Sequence, residues 1–596
     1  MPTRKQGGSP ADLARFNRDE ALSRLAHEQF DVLVVGGGIT GVGVALDAAS
    51  RGLRTALVER GDLAAGTSSK SSKLVHGGIR YLAQREIRLV YESLHERQRL
   101  LDNAPHLVSP LPFLIPLFGR DGVVQKNVAR AYSVALWLYD VTGGLRIGKR
   151  HRRVDAAEAL RHLPTLRTDR LVAGFYYYDA WADDARLTLT VARTAAIDHG
   201  AAVANYTPVE ALLRDASGKV RGARVRPVLP HSTDQADEDR GRAEPFEIQA
   251  SVVVNATGVW ADDVRSLDEG EHPHSLRPAK GVHVTVPRSK LPADIAAVIS
   301  VPKDRRSIFV VPWSDGDDVY VGTTDTAWDG TLDDPACLPD DVDYLLDALN
   351  HSVADPVCRD DVTGLWAGLR PLLAPKSGHH VNERTADLSR RHRVRSSDSG
   401  LVTVTGGKLT TYRKMAEDTV DEVVRLLPAS AAHRATRCRT ARLPIRGAAG
   451  LAEMLAPGAA RSHGVEETTF AALVRRHGGE TPVVLELASG RPELLEPLVP
   501  GLPHLRVEAL WAVRREMALG LDDVLSRRTR STLRRAVATA DVAADVANLL
   551  AGEWDRKPES VAQEARAFAA EVRRDLSRAG LDPHDARLGA TQRPAQ

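Results

Sequence analysis

An α/β fold followed by a helical domain is the architecture this sequence predicts. Three observations predict it. A strand–glycine turn–helix–strand unit stands at residues 31–59, two later apolar strands run into turns at Asn255 and Gly406, and from about Thr440 the pattern becomes wholly helical. The 596 residues exceed what one core organises, so two or three domains are expected.

The first unit, FDVLVVGGGITGVGVALDAASRGLRTALVERGD, justifies the α/β reading. Residues 31–35 form an apolar strand, residues 36–41 fit G-x-G-x-x-G, a helix runs to about Ser50, and residues 53–58 form a second strand ending in Glu59. Gly36 makes the tight turn, Gly38 lets backbone approach a pyrophosphate, and Gly41 allows close helix–strand packing. Ile39 and Thr40 open the helix, whose unpaired N–H groups and dipole favour phosphate. Glu59, followed by Arg60, can accept a hydrogen bond from a ribose hydroxyl and disfavours a 2′-phosphate. All parts occur in order, which makes a Rossmann-like dinucleotide site. The unit alone leaves NAD and FAD both open.

The next elements extend that site. IQASVVVNATGVWADDV is a strand running into Asn255, Thr257 and Gly258, and GLVTVTGGKLTTYRKMAEDTVDEVVRLL is a strand, the pair Gly406–Gly407, and a helix starting near Thr410 or Thr411. Two such turns so far apart imply a cofactor site assembled from both ends of the chain. Between them and the first unit lies SSKSSKLVHGGIRYL, residues 68–82, whose serines, lysines, histidine and arginine suit a charged ligand as well as a surface loop.

TSSKSSKLVHGGIRYL, YYDAWADDARL, NATGVWAD, KGVHVTV, VGTTD, GLRPLL and GGKLTTYRKMAE together resemble the FAD-dependent glycerol-3-phosphate dehydrogenases, within the D-amino-acid-oxidase-like flavoproteins. The resemblance runs from residue 31 to residue 427 and on into REMALGLDDVLSRRTR, which looks like the family's helical domain. It implies an FAD-binding domain interleaved with a sheet-based substrate part over residues 30–430, then a helical domain over 440–580, between an extension at 1–29 and a disordered tail at 582–596. It implies an extended FAD with its adenine end on the glycine turn. Thr67, Ser68, Ser69, Ser71, Ser72 and Lys73 then lie along the cofactor, and His76, Gly77 and Gly78 pass close to its ring. Thr257, Gly258, Gly407, Lys408, Leu409 and Thr410 complete the cofactor set. The implied reaction oxidises sn-glycerol 3-phosphate to dihydroxyacetone phosphate. His283 is the expected base, Arg370 the leading phosphate ligand, and Arg80, Tyr81 and Lys408 the supporting set, with Arg80 and Lys408 counted as catalytic. Asp183, Asp184 and Arg186 are expected to pack the cofactor and substrate parts together, and Asp325 has no assigned role.

The resemblance also implies quinone as electron acceptor at the inner face of the cytoplasmic membrane, with a homodimer left open. VARAYSVALWLYDV is the expected interfacial helix, with Trp137 and Tyr139 at the headgroup boundary. The alternatives are a dioxygen-using oxidase, which the short polar stretch RPVLPHSTDQADEDRGRAEPFE disfavours, an amine oxidase, and a flavin-binding redox sensor without turnover. The sequence departs from the family pattern in its N-terminal extension, in Val259 and in Val282. No targeting segment or membrane span is expected, and Ser9-Pro10 reads as a helix start. Three cysteines fit no metal spacing and suit a reducing cytosol. Lys+Arg 80 against Asp+Glu 78 gives no global argument for nucleic acid. The cluster Arg527-Arg528-Thr529-Arg530 is expected to be solvated or paired with the neighbouring domain.

Overall fold

Among the described residues, five parallel strands belong to an eight-stranded nucleotide-binding sheet, in the spatial order Val402–Thr405, Phe246–Asn255, Gln29–Val35, Thr55–Val58, Ala202–Ala204. The structure, a computed structural model, describes residues 16–79, 86–119, 126–230, 244–301, 306–374 and 391–582. The expected helix start at Ser9 and most of the tail lie outside those residues. A helix at Arg18–His27, capped by the Asn17 side chain, leads into the first strand. That strand is buried at every position after Gln29, as its unbroken apolar run requires.

Register decides where the site forms. Val35 pairs with both Val58 and Asn255, and Asn255 pairs with Thr403. The turns at Gly36, Thr257 and Gly406 therefore leave the same carboxyl edge, the usual ligand edge of a parallel sheet. The helix Ile39–Ser50 packs against Tyr412–Leu426, the helix that follows the third turn. A Cβ on Gly43 would meet the Tyr412 ring at 2.8 Å, so glycine sets how closely the two helices cross.

Among the described residues a second sheet has ten strands. Its long strand Leu276–Pro287 pairs antiparallel with Asp318–Gly322 on one side and Gly364–Leu373 on the other. The proline-rich run that is too short for a membrane span is the strand Val108–Phe118 of this sheet. Among the described residues no helix is long and apolar enough to cross a membrane.

Helices follow, among them Glu467–His477, Arg506–Glu516, Ala543–Leu550 and Pro558–Arg578. Their core is continuous with the second sheet: Val282, Val284 and Val286 belong to one apolar cluster with Leu510, Trp511 and Ala536. The helical reading of residues 506–530 is interrupted at Met517, whose φ of +55° ends the first helix. The turn leaves Glu516 buried, where its carboxylate accepts hydrogen bonds from Trp511 Nε1 and Arg186.

Candidate active site

The three turns converge on a cavity of about 670 Å³, a size typical of cofactor pockets. Gly36 holds φ +112°, and a Cβ there would stand 2.7 Å from the Ala256 carbonyl oxygen. At Gly41 a Cβ would fall 1.9 Å from the Gly36 carbonyl oxygen. Neither position accepts a side chain. Gly38 caps the helix without a side-chain bond, and the Ile39 N–H donates to Ser68 Oγ at 2.8 Å. Glu59 accepts the N–H groups of Gly37 and Gly61 at 2.6 and 2.9 Å. Burial pushes its carboxyl above the ordinary range, and these two amides oppose the shift. Gly36, Gly38, Ile39, Thr40, Glu59 and Arg60 all line the cavity, while Gly41 serves the packing beneath it.

The stretch after the second strand divides. Thr67, Ser68, Ser72 and His76 line the cavity. Thr67 donates to the Leu369 carbonyl at 2.6 Å, and the His76 N–H donates to Thr410 Oγ1 at 3.0 Å, so both sheets and both ends of the chain meet here. Ser69, Lys73, Gly77 and Gly78 are not part of the wall. Ser69 turns its hydroxyl back to the Gly66 carbonyl. Lys73 is wholly buried, its Nζ 3.2 Å from Asp184 Oδ1 and 4.6 Å from the Trp366 ring centre, because a charge that leaves water needs a counterion. Gly77 donates its N–H to the Tyr139 hydroxyl and to Asp179, and a Cβ there would stand 2.5 Å from Leu94, so its smallness serves packing. From the other turns, Thr257, Gly258, Gly407, Lys408, Leu409 and Thr410 line the cavity. Arg80 and Tyr81 lie outside the described residues.

His283 and Arg370 stand on neighbouring strands of the cavity wall. Between them Gly281 pairs with Gly368, and their missing side chains make room for the Arg370 guanidinium and the Lys70 backbone. His283 is stacked on Trp366, and its Nε2 lies 2.9 Å from Ser72 Oγ. Its Nδ1 is buried with no hydrogen-bond partner among the described residues. Burial, then the positive charges of Lys73 and Arg370, hold the imidazole well below its ordinary pKa, so it is neutral at physiological pH. Arg370 donates to Asp325 Oδ1 at 3.2 Å, to Thr323 Oγ1 at 3.1 Å and to the Thr324 carbonyl at 3.0 Å. Those contacts hold the guanidinium over Gly281.

The family profile described as FAD dependent oxidoreductase matches residues 31–413, and that of the C-terminal domain of alpha-glycerophosphate oxidase matches residues 438–561. Glycerol-3-phosphate dehydrogenase 2 of Mycobacterium bovis is 42% identical over 92% of this chain and 89% of its own. The mitochondrial glycerol-3-phosphate dehydrogenase of Rattus norvegicus is 37% identical over 90% of this chain and 72% of its own. The chain belongs to the FAD-dependent glycerol-3-phosphate dehydrogenase family. The crystal structure of the Bacillus halodurans glycerol-3-phosphate dehydrogenase complexed with FAD has the same fold, with a TM-score of 0.72, 31% identity, and coverage of 96% and 99% of the two chains.

The residues present fit the cofactor of this dehydrogenase family. Two obligatory glycines shape the turn, the helix start points N–H groups at the cavity, and an acid sits where a ribose would lie. Trp260, absent from the sequence-based set, adds an aromatic wall, with the Arg60 guanidinium 4.4 Å from its ring centre. Trp366 was also missed, and Asp325, left without a role by the sequence, is a partner of Arg370. Strand alternation could have found Trp366, since residues 366, 368 and 370 share one face of Gly364–Leu373.

The basic cluster takes the paired one of its two expected states, while the expectations for Arg186 and Tyr139 change. Arg527 and Arg528 pair with Asp62, and Arg530 pairs with Asp184, so the basic cluster is internal and offers no surface to a polyanion. Arg186 reaches Glu516 and the Arg528 carbonyl, so this motif joins the cofactor part to the helical domain. On the helix Lys126–Val141, Trp137 is 60% exposed but Tyr139 only 1%. Two residues apart on a helix face opposite ways, and Tyr139 donates instead to buried Asp179.

Proposed function

We propose that the protein oxidises sn-glycerol 3-phosphate to dihydroxyacetone phosphate with FAD and passes the electrons to a membrane quinone. The observation that carries this reading is the placement of a neutral imidazole and a guanidinium on adjacent strands of the cavity that the glycine-turn elements also line. FAD, when bound, supplies the two-electron acceptor for the hydride leaving the carbinol carbon. Gly36, Gly38, Ile39 and Thr40 hold the pyrophosphate, and Glu59 the ribose. Thr67, Ser68, Ser72, Thr257, Gly258, Gly407, Leu409 and Thr410 hold the remainder. His283 takes the proton of the secondary hydroxyl, a task that requires its neutral form. Arg370 brings a permanent positive charge, fixed by Asp325, Thr323 and the Thr324 carbonyl, to the phosphate dianion. Lys408 adds positive charge at the same wall, suited to the phosphate, to the alkoxide developing on the substrate oxygen, or to the negative charge of the reduced cofactor. Arg80 and Tyr81 keep the substrate-binding roles that the family resemblance implies.

A quinone acceptor requires approach to a membrane. Val134, Trp137 and Val141 are 65%, 60% and 57% exposed at helical spacing on Lys126–Val141, and Tyr91 on the helix Ile87–Asn103 is also exposed. Such an apolar face with a tryptophan suits an interfacial helix, which supports a peripheral site at the inner membrane face.

The test is anaerobic. sn-Glycerol 3-phosphate should bleach the oxidised flavin absorption of the purified protein, and glycerol should not. Re-oxidation by a quinone analogue faster than by dioxygen supports the acceptor, whereas stoichiometric peroxide in air identifies an oxidase. An unbleached flavin sinks the substrate assignment.

A further inference from the structure

The helical domain reaches the candidate base through a chain of buried contacts. Arg530, 1% exposed, donates from Nη2 to Asp184 Oδ1 at 2.8 Å and to the Ser69 carbonyl. Asp184 also accepts Lys73 Nζ on Oδ1, and on Oδ2 the Ser71 N–H and hydroxyl at 2.9 and 2.7 Å. Asp184 thus holds Ser71 and Lys73, and Arg530 holds Ser69, so the pair grips the segment from Ser69 to Lys73. The segment is gripped from its other side by Trp366 Nε1, which donates to the Ser71 carbonyl at 3.2 Å, and by the Tyr320 hydroxyl, which donates to the Ser72 carbonyl at 2.9 Å. What remains of Ser72 is its hydroxyl, 2.9 Å from His283 Nε2.

The same domain braces the strand behind the histidine. Thr285 donates to the Leu533 carbonyl and Thr363 to the Arg534 carbonyl, both at 2.7 Å. Arg534 lies 5.0 Å from the Trp313 ring centre and pairs with Asp315 and Asp318. Lys73 Nζ sits near both Trp313 and Trp366, at 5.7 and 4.6 Å from their ring centres.

We propose that Arg530, Asp184 and Lys73 form a positioning clamp through which the C-terminal helical domain holds Ser72 against His283 and so sets that imidazole's tautomer and aim. The clamp rests on the reading of His283 as the base. A hydrogen bond to one ring nitrogen selects the tautomer and orientation, and a base displaced by about 1 Å loses on the order of 100-fold in rate. The charged and titratable groups facing His283 are Lys73, Arg370 and the Tyr320 ring at 6.2 Å. Those facing Lys73 are Asp184, Arg530 and Asp183. Burial and then Arg530 lower Lys73 to about 8, with Asp184 opposing. Lys73→Met therefore leaves a neutral Asp184–Arg530 pair in place, which makes it the gentler variant.

The experiment compares wild-type holoprotein with Lys73→Met, Arg530→Met and Arg530→Lys. Two readouts are taken: the ¹⁵N-histidine NMR signal of His283 against pH, assigned with His283→Gln, and anaerobic flavin reduction by sn-glycerol 3-phosphate. Lys73→Met and Arg530→Met should change the tautomer signature of His283 and slow limiting reduction by roughly 10- to 100-fold. The half-saturating substrate concentration should stay within about twofold. In Lys73→Met, His283 should also protonate at higher pH, because a repelling cation is gone. Arg530→Lys should restore most of the rate. A Lys73→Met protein that keeps FAD, the wild-type His283 signal and the wild-type limiting rate overturns the clamp. Should Arg530→Met lose FAD, Lys73→Met decides alone. A wild-type flavin untouched by the substrate sinks the substrate assignment instead, and the NMR comparison still judges the clamp.

Discussion

His283 and Trp366 lie ring on ring, with centroids 4.7 Å apart and planes within 8° of parallel. They are direct cross-strand partners on Leu276–Pro287 and Gly364–Leu373, the latter an edge strand of the second sheet among the described residues, so the stack follows from register. The indole packs against the imidazole on one side, and its N–H ties down the Ser71 carbonyl on the other.

Trp366→Phe keeps a ring beneath His283 but loses that donor, and a net cost of about 1 kcal/mol is expected. Trp366→Ala removes the stack and opens a cavity at a residue only 3% exposed. It should cost about 3–5 kcal/mol in chemical denaturation and lower kcat more than the phenylalanine variant does. Equal kcat in the two variants would show that the stack does not orient the base.

His283→Gln should retain FAD and lose on the order of 10²- to 10⁴-fold in flavin reduction. The pH dependence has a definite sign. Burial with Lys73 and Arg370 depresses the folded-state pKa below the ordinary 6.5, so the neutral base persists as pH falls through that value. The kcat/KM profile should show no His283 limb near pH 6.5. Below pH 6.5 the unfolded state takes a proton that the folded state refuses, so stability falls with falling pH. His283→Gln should flatten that slope in denaturant midpoints measured from pH 7 to pH 5.

Two glycines separate binding from chemistry. A Cβ on Gly322 would stand 2.1 Å from His283 Cδ2, and one on Gly281 would stand 2.4 Å from Arg370 Nη2. Gly322→Ala should lower kcat with little change in KM, while Gly281→Ala should raise KM. Steady-state kinetics on both variants at equal FAD content checks the split.

Arg370→Lys keeps the charge but loses the two-point fork and its bonds to Thr323 and Asp325. KM for sn-glycerol 3-phosphate should rise by on the order of 10- to 100-fold. An unchanged KM would move the phosphate elsewhere in the cavity.

Val134→Ser with Trp137→Ser should weaken co-sedimentation with anionic lipid vesicles. Turnover with a soluble dye acceptor should stay as in the wild type, because neither residue lines the cavity. Unaltered vesicle binding would remove the Lys126–Val141 helix from the membrane face.

The amino-acid sequence alone determined the parts whose causes are local. Gly36, Gly38 and Gly41 act within one turn, where steric exclusion is read directly from spacing, and Glu59 ends the very next strand. The family motifs carried His283 and Arg370 to one cavity wall, and strand alternation could have added Trp366. Partner choice was decided only by the tertiary structure. Lys73 reads as a cofactor ligand beside four serines, yet it turns inward because Asp184 waits there, itself bound by Arg530 from 346 residues away in the chain. The sequence leaves Arg527 and Arg528 either solvated or paired, and only the fold shows that Asp62 is the partner. Tyr139 and Trp137 part company because one side of their helix meets a buried carboxylate. Backbone propensity and hydrophobic period act over a few residues and leave their trace in neighbouring letters. A buried charge is satisfied by whichever opposite charge the fold brings near, and no local pattern records that.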